Sequence, residues 1–450
     1  MRYPQKSYTF LAAKKFGLTS QRVHSEIILS YLEIKEAACH VNFKSRRINA
    51  QKKRAILNSI RKIRKISANS TRWRNLFLTS IYQPGAGTAL NMNVNDAIVL
   101  IAGRNQFLNA NDDVNASQSS NDTYPTAVRL TAIKQVKELL TQLERSRASL
   151  TSLAKRDRKL IKAARTHLQD ALPVSLSFQW SSYERSLEKC SKQISSSLSM
   201  LGELPIGGTA IGNGATTPLG FRAQCVRELR SLTKLRELRV AVHGGELQSS
   251  HLDLLILSQA LECLALCIHR ICSDLRLQSS GPRTGLHEIR LKKLVPGSSI
   301  MPGKTNPGAL EALHQVVVRT LALGTEARWA ESMGQLELNV MLPAWSSDLI
   351  HILNDWRQGL RLFQEQVLKG LAPDEETLTQ NALQTEQWAT LLSGKVSYQE
   401  IALWVEEARA NHSNFLDWIE THNPKLSAWL WRQVAGKPGW QTKKKGSARL

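Results

Sequence analysis

The chain has 450 residues, of which 42% are hydrophobic, and this is enough for a large buried core and two or three domains of ordinary size. Its 60 Lys and Arg outnumber its 37 Asp and Glu, so the formal net charge of +23 suits an anionic partner: a nucleic acid, an anionic membrane face or a small di-acid. Residues 1–20 contain no long apolar run, which predicts a chain without a secretory signal.

The cysteines and the apolar segments favour a cytoplasmic protein. None of the six cysteines forms a paired CxxC spacing, which argues against a structural zinc site and favours free thiols in a reducing compartment. The longest apolar stretch, Leu254–Ile268, includes Gln259 and Glu262. It is too short and too polar to cross a bilayer, so we expect a buried bundle helix and no membrane contact.

Helical patterns dominate the chain. Residues 44–65 form a basic segment with ten Lys or Arg and no acid. From residue 127 to about 155, apolar residues recur at the period of a long amphipathic helix. A second helical segment covers 221–277 with a break near 243–245, and a third begins at Pro307. Because alternating strand patterns are nearly absent, the sequence predicts an all-α fold built on an elongated helix bundle.

Glycine and proline cluster between these helices, where functional loops are expected. In the last cluster, residues 297–307 read GSSIMPGKTNP. Asn306 is a good N-cap, and Pro307 suits the first helical position. The N–H groups at that helix start, together with the charge of Lys304, predict a carboxylate-binding site. The alternative is a capped surface helix preceded by a polar loop.

Three more segments place hydroxyl and amide groups next to a predicted helix end, at residues 85–95, 117–122 and 165–170. None has the spacing of a P-loop, a Rossmann fingerprint or a zinc cluster. Taken alone, His167 in the third segment is more typical of a structural histidine than of a catalytic one.

Together these segments resemble the signature sequences of the aspartase/class II fumarase superfamily. The matching segments, in chain order, are AGTALNMNVND, SQSSNDTYPTA, ARTHLQDALP, GSSIMPGKTNP and GQLELNVMLP. They follow the family's order and cover most of residues 22–370. The resemblance implies a three-domain, all-α fold: an N-terminal lyase domain (1–123), a long central helix bundle (124–373) and a small C-terminal helical domain with a basic tail (374–450).

The resemblance also implies roles for single residues. Ser298 matches the general base that removes a proton next to a carboxylate and leaves an aci-carboxylate, and Lys304 and Asn306 match the groups that grip that carboxylate. His167 matches a histidine at the substrate, with Glu311 as its charge partner. The implied donors to the substrate are Thr88, Ser119, Ser120, Asn121 and Thr166. No metal or other cofactor is implied, and the site is assembled from three chains of a homotetramer.

The resemblance does not decide whether the leaving group is ammonia or water. Ala86 and the stretches 22–28 and 368–371 resemble aspartate ammonia-lyases, which eliminate ammonia from L-aspartate to give fumarate. Ser120 and Thr123 resemble class II fumarate hydratases, which interconvert L-malate and fumarate. We take aspartate ammonia-lyase as the first expectation and fumarate hydratase as the alternative.

Two further hypotheses compete, a nucleic-acid-binding protein and a homologue that has lost activity. The basic segment 44–65 favours nucleic-acid binding. Its Ile56 and Ile60 predict a packed face, however, and few aromatic residues are available for base stacking, so this reading is disfavoured. Loss of activity is also disfavoured. The sequence departs from the family pattern at positions such as Ala164 and Asn109, but the matched base, lysine, asparagine, histidine and glutamate are all present.

Overall fold

Helices make up most of the chain, as the periodicity predicts. The computed structural model describes residues 3–5, 7–103 and 108–435, and sixteen α-helices lie in these ranges. They are α1 (Tyr8–Phe16), α2 (Ser25–Lys44), α3 (Ala50–Arg64), α4 (Thr71–Leu76), α5 (Thr88–Ala102), α6 (Ser120–Arg156), α7 (Leu176–Leu201), α8 (Phe221–Thr233), α9 (Glu246–Ser249), α10 (Leu252–Gln278), α11 (Gly308–Ser332), α12 (Leu342–Leu362), α13 (Glu375–Gln384), α14 (Tyr398–Ala410), α15 (Phe415–His422) and α16 (Pro424–Ala435). The predicted all-α fold is confirmed.

The longest helix, α6, contains the amphipathic pattern predicted over 127–155 and begins earlier, at Ser120. Its periodic apolar side chains are fully buried at Val128, Ile133, Val136 and Leu143. Burial of this stripe, rather than helix propensity alone, is what stabilises such a helix.

The predicted segment 221–277 is two helices separated by a wider break than expected. Helix α8 ends where Lys234 adopts a left-handed φ of 61°. The chain then forms a short strand and the single turn α9 before α10 begins at Leu252. The break is wide because residues 239–240 pair in parallel with residues 203–204, which holds the connection in an extended conformation.

Six short strands form three two-stranded sheets within the described residues. They are β1 (Ile161–Thr166), β2 (Gln169–Ser175), β3 (Glu203–Leu204), β4 (Arg239–Val240), β5 (Ile289–Arg290) and β6 (Ala372–Pro373). Strands β1 and β2 form a hairpin in which Thr166 pairs with Gln169, so His167 and Leu168 make a two-residue turn. The sequence does not predict this hairpin, because the turn lacks the Asn-Gly or Asp-Gly pair that usually signals one.

The chain divides into two compact units that do not follow the predicted domain boundaries in sequence. The first contains residues 1–141, 192–265 and 316–358, and the second contains residues 142–191, 266–315 and 359–450. The three-domain division at 123/124 and 373/374 stays a prediction. The predicted basic tail at 443–445 lies outside the described residues.

Each unit has its own buried core. In the first, Arg129 is fully buried and donates to both oxygens of Asp253 at 2.7 and 2.8 Å, a paired charge that burial requires. In the second, Trp388 lies with Phe415 and Ile419 in an aromatic-rich cluster formed by the last helices.

Helix α10 is longer than the apolar stretch that the sequence suggests. Over 27 residues its length and hydropathy match those of a membrane span, so length does not exclude one, contrary to the sequence argument. Half of its most apolar window is buried in the protein, and Leu254, Leu257 and Leu261 are fully buried. This burial favours the core helix that the sequence analysis predicts.

Candidate active site

Two helix N-termini in the first unit carry predicted substrate donors side by side. Thr88 is the first residue of α5 and Ser120 is the first residue of α6. Their hydroxyl oxygens lie 3.0 Å apart, within hydrogen-bonding distance. The positive dipole ends of both helices favour an anion at this point. The arrangement suits a carboxylate, as the sequence predicts.

A glycine allows this close approach. Gly87 precedes α5 with a φ of 84°, in the left-handed region that glycine adopts without strain. A Cβ at this position would lie 2.0 Å from the ring of Tyr124. That ring is fully buried, and its hydroxyl lies 3.2 Å from the Ser346 hydroxyl, so it has no room to retreat. Any larger residue at position 87 would separate Thr88 from α6.

The buried carboxylate of Asp122 holds the Ser119–Asn121 turn in place. One of its oxygens accepts the N–H of Ser119 at 3.0 Å. The other accepts the N–H groups of Gly207 and Thr209 at 3.0 and 2.9 Å. Asp122 therefore joins the turn to the glycine-rich loop at 205–214, which is distant in sequence.

The other two side chains of the turn complete this connection. The Ser119 hydroxyl accepts the N–H of Asn121 at 3.2 Å, as an N-cap does at a helix start. The Asn121 amide donates to the carbonyl of Ala210 at 2.9 Å. As a result, both side chains are fixed by hydrogen bonds, and each still has a hydrogen left to donate, on the Ser119 hydroxyl and on the Asn121 amide.

A buried lysine lies close enough to Asp122 to influence its titration. Lys35 donates to the side-chain oxygens of Asn91 and Asn115, both at 2.9 Å. Burial lowers the pKa of Lys35 to about 7, although the charge of Asp122 opposes that shift. Burial likewise raises the pKa of Asp122 to about 7, against the N–H groups and the lysine that favour its charged form. The first unit thus keeps two ionisable groups that both titrate near neutrality.

Thr166 and His167 lie at the tip of the β1–β2 hairpin in the second unit, and both are exposed. His167 and Leu168 have φ values of 57° and 59°, a backbone that costs each non-glycine residue about 1–2 kcal/mol. Arg165, at the end of β1, donates to a carboxylate oxygen of the fully buried Glu288 at 2.7 Å. This buried ion pair fixes the strand end that presents His167 to solvent.

Ser298 lies in a loop whose two ends are held together. The N–H of Gly297 donates to the carbonyl of Lys304 at 3.0 Å, and the Asn306 amide donates to the carbonyl of Gly297 at 2.8 Å. A Cβ on Gly297 would lie 2.5 Å from the Lys304 carbonyl oxygen, so this closure requires glycine. We call residues 297–306 the serine loop.

Within the serine loop, the Ser298 hydroxyl oxygen accepts two backbone N–H groups. Those of Ile300 and Met301 lie 3.2 and 3.0 Å from it. N–H donors aimed at one oxygen stabilise negative charge on that oxygen. These two N–H groups favour negative charge on the Ser298 oxygen.

Asn306 does not cap the following helix, contrary to the sequence prediction. Helix α11 begins at Gly308, and the carbonyl of Pro307 accepts the N–H groups of Leu310 and Glu311 at 2.9 and 3.2 Å. Asn306 is one residue too early to cap, and its side chain closes the serine loop instead. The Lys304 side chain is exposed and forms no ion pair with the residues that the structure describes.

The predicted His167–Glu311 pair does not form within one chain. Among the residues described, neither side chain makes a hydrogen bond or an ion pair. Glu311 lies in the first turn of α11 and is partly exposed, and His167 is exposed. Both side chains are therefore available to another chain.

The donor groups described above suit carboxylates rather than a metal ion. Within residues 3–5, 7–103 and 108–435, no three His, Cys, Asp or Glu side chains group closely enough to hold a metal. The groups at the candidate positions are hydroxyls, amides, an ammonium and backbone N–H groups, all of which donate hydrogen bonds to a carboxylate.

Comparison with known proteins decides the family. The family model described as lyase matches residues 7–322. A class II fumarate hydratase from Corynebacterium efficiens is 34% identical over 407 residues, which cover 90% of this chain and 85% of that protein. The chain belongs to the aspartase/class II fumarase superfamily of lyases.

Other relatives agree with this assignment. An aspartate ammonia-lyase from Bacillus subtilis is 32% identical to the lyase over 408 residues, covering 89% of this chain and 85% of that protein. The crystal structure of the class II fumarase from Schistosoma mansoni matches with a TM-score of 0.87 and 29% identity, covering 97% of this chain and 96% of that one. Most of the similar curated proteins found are named class II fumarate hydratase.

Sequence reasoning missed three residues that support the candidate site of the lyase. Asp122, Lys35 and Glu288 are all buried and bind backbone or side-chain groups next to predicted donors. The one signal in the sequence was Asp122, which lies inside the matched SQSSNDTYPTA segment. Nothing in the sequence shows that its partners are the N–H groups of residues 207 and 209.

Proposed function

We propose that the lyase is a class II fumarate hydratase, which eliminates water from L-malate to give fumarate and catalyses the reverse addition. The observation that carries the elimination chemistry, whether water or ammonia leaves, is the Ser298 hydroxyl oxygen with two backbone N–H donors on it. An oxygen in that environment can hold the negative charge of a base. Names of the similar proteins, and the likeness of Ser120 and Thr123 to fumarases, support water rather than ammonia as the leaving group.

In the proposed reaction, the Ser298 alkoxide removes the proton on the carbon next to one carboxylate. The C–H electron pair moves into that carboxylate and forms a dianionic aci-carboxylate. The electron pair then returns to form the C=C bond, and the C–O bond breaks. The leaving hydroxide takes a proton that we propose His167 donates. The products are fumarate, water and a protonated Ser298, and both proton carriers are reset by solvent.

The dianionic intermediate needs concentrated positive potential. Lys304 supplies a full charge within the serine loop. The N-termini of α5 and α6, with the hydroxyls of Thr88 and Ser120, supply dipoles and hydrogen bonds for a carboxylate. Ser119, Asn121 and Thr166 complete the proposed donor set. No step in this scheme requires a metal or an organic cofactor.

Aspartate ammonia-lyase is the second candidate, because one feature of the site favours it. Ala86 lies in the turn before Thr88, is almost fully buried, and occupies a position where class II fumarases usually carry serine. Loss of a hydroxyl next to the donor pair changes which leaving group is accommodated. In this reaction ammonia leaves in place of water, and Ser298 has the same role.

The experiment that tests the proposal follows fumarate by its ultraviolet absorbance with L-malate and, separately, with L-aspartate. Turnover of malate alone supports the fumarase reaction, and turnover of aspartate alone replaces it with the second candidate. Ser298→Ala should abolish either activity. Ser299→Ala is the matched control, because it removes a hydroxyl from the same loop without touching the two N–H bonds.

We infer that the complete site is shared between chains of a homotetramer. Among the described residues of one chain, His167 and Glu311 have no hydrogen-bond or ion-pair partner. Helix α11 exposes large apolar side chains at Val318 and Trp329, 68% and 64% exposed. Mixing inactive Ser298→Ala and His167→Asn chains after mild dissociation should restore part of the activity, because some hybrid sites then receive both intact residues. Mixtures that stay inactive, although mass measurements show hybrids, would contradict shared sites. A cytoplasmic location stays a prediction.

A further inference from the structure

The N-terminal part of the chain has an unusual run of sequence without acids. Residues 37–95 contain twelve Lys or Arg and no Asp or Glu. The proposed site uses Thr88 from this run and none of its cations. Their accumulation therefore needs a separate explanation.

Helix α3 separates this run into a packed side and a charged side. Ile56, Ile60 and Ile63 are buried, which confirms the packed face that the sequence predicts. At 3.6 residues per turn, Arg54, Arg61 and Lys65 lie within about 40° of one another on the opposite side. All three are exposed, as is the adjacent Lys62. We call Arg54, Arg61, Lys62 and Lys65 the basic face.

Other cations near the basic face are neutralised by carboxylates of the folded chain, whereas the charges of the basic face itself are not. Lys44, Lys52 and Arg64 form ion pairs with Glu228, Asp113 and Glu36 respectively. In the part of the chain that the structure describes, the basic face makes no ion pair, and its one side-chain hydrogen bond is from Arg61 to Asn58.

Helix stability explains only part of this arrangement. Basic side chains four residues apart, such as Arg61 and Lys65, repel each other. Lys52 and Lys53 lie in the first turn of α3, where the helix dipole disfavours positive charge, and that turn contains no acid. Arg61 and Lys62 lie in the last turn, where the helix dipole favours positive charge, but Arg54 gains nothing from that dipole. An anionic partner therefore accounts for the whole set better than helix stability does.

The geometry selects the kind of partner. Arg54 and Lys65 are separated by about 16 Å along the helix axis, so the partner must present negative charge at several points rather than as one small di-acid. An interfacial helix would expose apolar side chains to a membrane, but those of α3 are buried and no large apolar side chain is exposed between residues 44 and 74. Trp73, the aromatic residue that follows α3, is only 6% exposed and offers no ring for a base to stack on.

We propose that the basic face binds the phosphate backbone of a nucleic-acid duplex without reading its sequence. A duplex presents regularly spaced phosphates to a row of Lys and Arg side chains, and contacts of this kind carry no base information. The proposal does not depend on which reaction the lyase catalyses.

The test compares two quadruple variants that lower the formal net charge equally. In the first, Arg54, Arg61, Lys62 and Lys65 are all changed to Gln. In the control, the exposed residues Arg158, Lys189, Lys425 and Arg432 of the second unit are changed to Gln. Binding of a labelled random-sequence 20-base-pair DNA is measured by fluorescence anisotropy between 50 and 200 mM NaCl. Lyase turnover of both variants shows that they fold.

We expect the wild-type chain to bind with a steep salt dependence. The basic-face variant should bind at least about 30-fold more weakly at 100 mM NaCl, and its log–log salt slope should be shallower by about 3–4, since each phosphate contact contributes about 0.9. The control variant should change affinity less than about threefold. Equal weakening of both variants would mean that net charge alone attracts DNA and would overturn the proposal. Binding to anionic phospholipid vesicles in preference to the duplex would overturn it as well.

Discussion

The Ser119–Asn121 turn and the serine loop differ in what holds them. The turn rests on the fully buried Asp122, which binds three backbone N–H groups from two separate segments. The serine loop is held by hydrogen bonds among its own residues, and Ile300 in it is 84% exposed. A rigid donor set suits groups that must already be oriented when substrate arrives, whereas a self-contained exposed loop suits a base that must approach it.

Removing the base should have the largest effect. Ser298→Ala deletes the oxygen that receives the proton, so turnover should fall by at least about 1,000-fold. The melting temperature should stay close to that of the wild-type chain, because the loop ends are held by Gly297, Lys304 and Asn306. Fumarate absorbance and circular dichroism measure the two quantities. Substantial turnover in this variant would eliminate serine as the base.

Weakening the support of the rigid turn should affect both stability and turnover. In Asp122→Asn a carboxyl group whose two oxygens accept three N–H groups becomes an amide with one acceptor oxygen. We expect the free energy of unfolding to fall by about 2–4 kcal/mol, and kcat/KM to fall with it. Denaturant unfolding and steady-state kinetics check this. Asp112→Asn, at an exposed neighbouring aspartate, is the control, and an equal loss there would contradict the support role.

The buried lysine should leave a signature in the pH dependence of stability. The pKa of Lys35 is lowered from 10.5 to about 7 in the folded chain. Between those values the unfolded chain binds a proton that the folded chain does not, so this group makes stability rise with pH from about 7 to 10.5. Lys35→Met should remove that rise in urea unfolding measured across this window. Lys62→Met, at an exposed lysine, should keep it.

The smallest effect is expected at the strained hairpin. Leu168→Gly places glycine where the backbone is left-handed, and relief of strain should raise the free energy of unfolding by about 0.5–1 kcal/mol. Leu219→Gly is the control, because Leu219 is fully exposed and does not have a positive φ. A gain at both positions, seen in thermal melts, would show that strain is not the cause.

The sequence correctly predicts helices whose buried side chains repeat along one face. It does not predict local structure that depends on a contact with a distant part of the chain. Helix α6 follows from apolar spacing. Helix α11 begins at Gly308, one residue later than predicted, and Pro307 is at the cap position rather than the first helical position. The β1–β2 hairpin does not, because its strand end is fixed by Glu288, which lies far along the chain.

The same contrast applies to the candidate site. Ser298, Lys304 and the donors near Thr88 are visible as polar residues in glycine-bounded segments. The support of the turn is not visible, because Asp122 binds backbone N–H groups, which every residue except proline carries. For the same reason, the sequence wrongly assigns Asn306 to a cap, since it does not show that Gly297 offers a carbonyl to that amide.

The closed neck of the serine loop has a mechanical consequence. Ser298 follows Gly297 directly and is therefore mounted beside the fixed end, while Ile300 and Met301 form the far end. When a loop turns about its closed end, an atom near that end moves less than an atom at the far end. Because the N–H groups of Ile300 and Met301 are bonded to the Ser298 hydroxyl oxygen, the far end and the reactive oxygen turn about this neck as one body, and the base keeps its two donors as it moves.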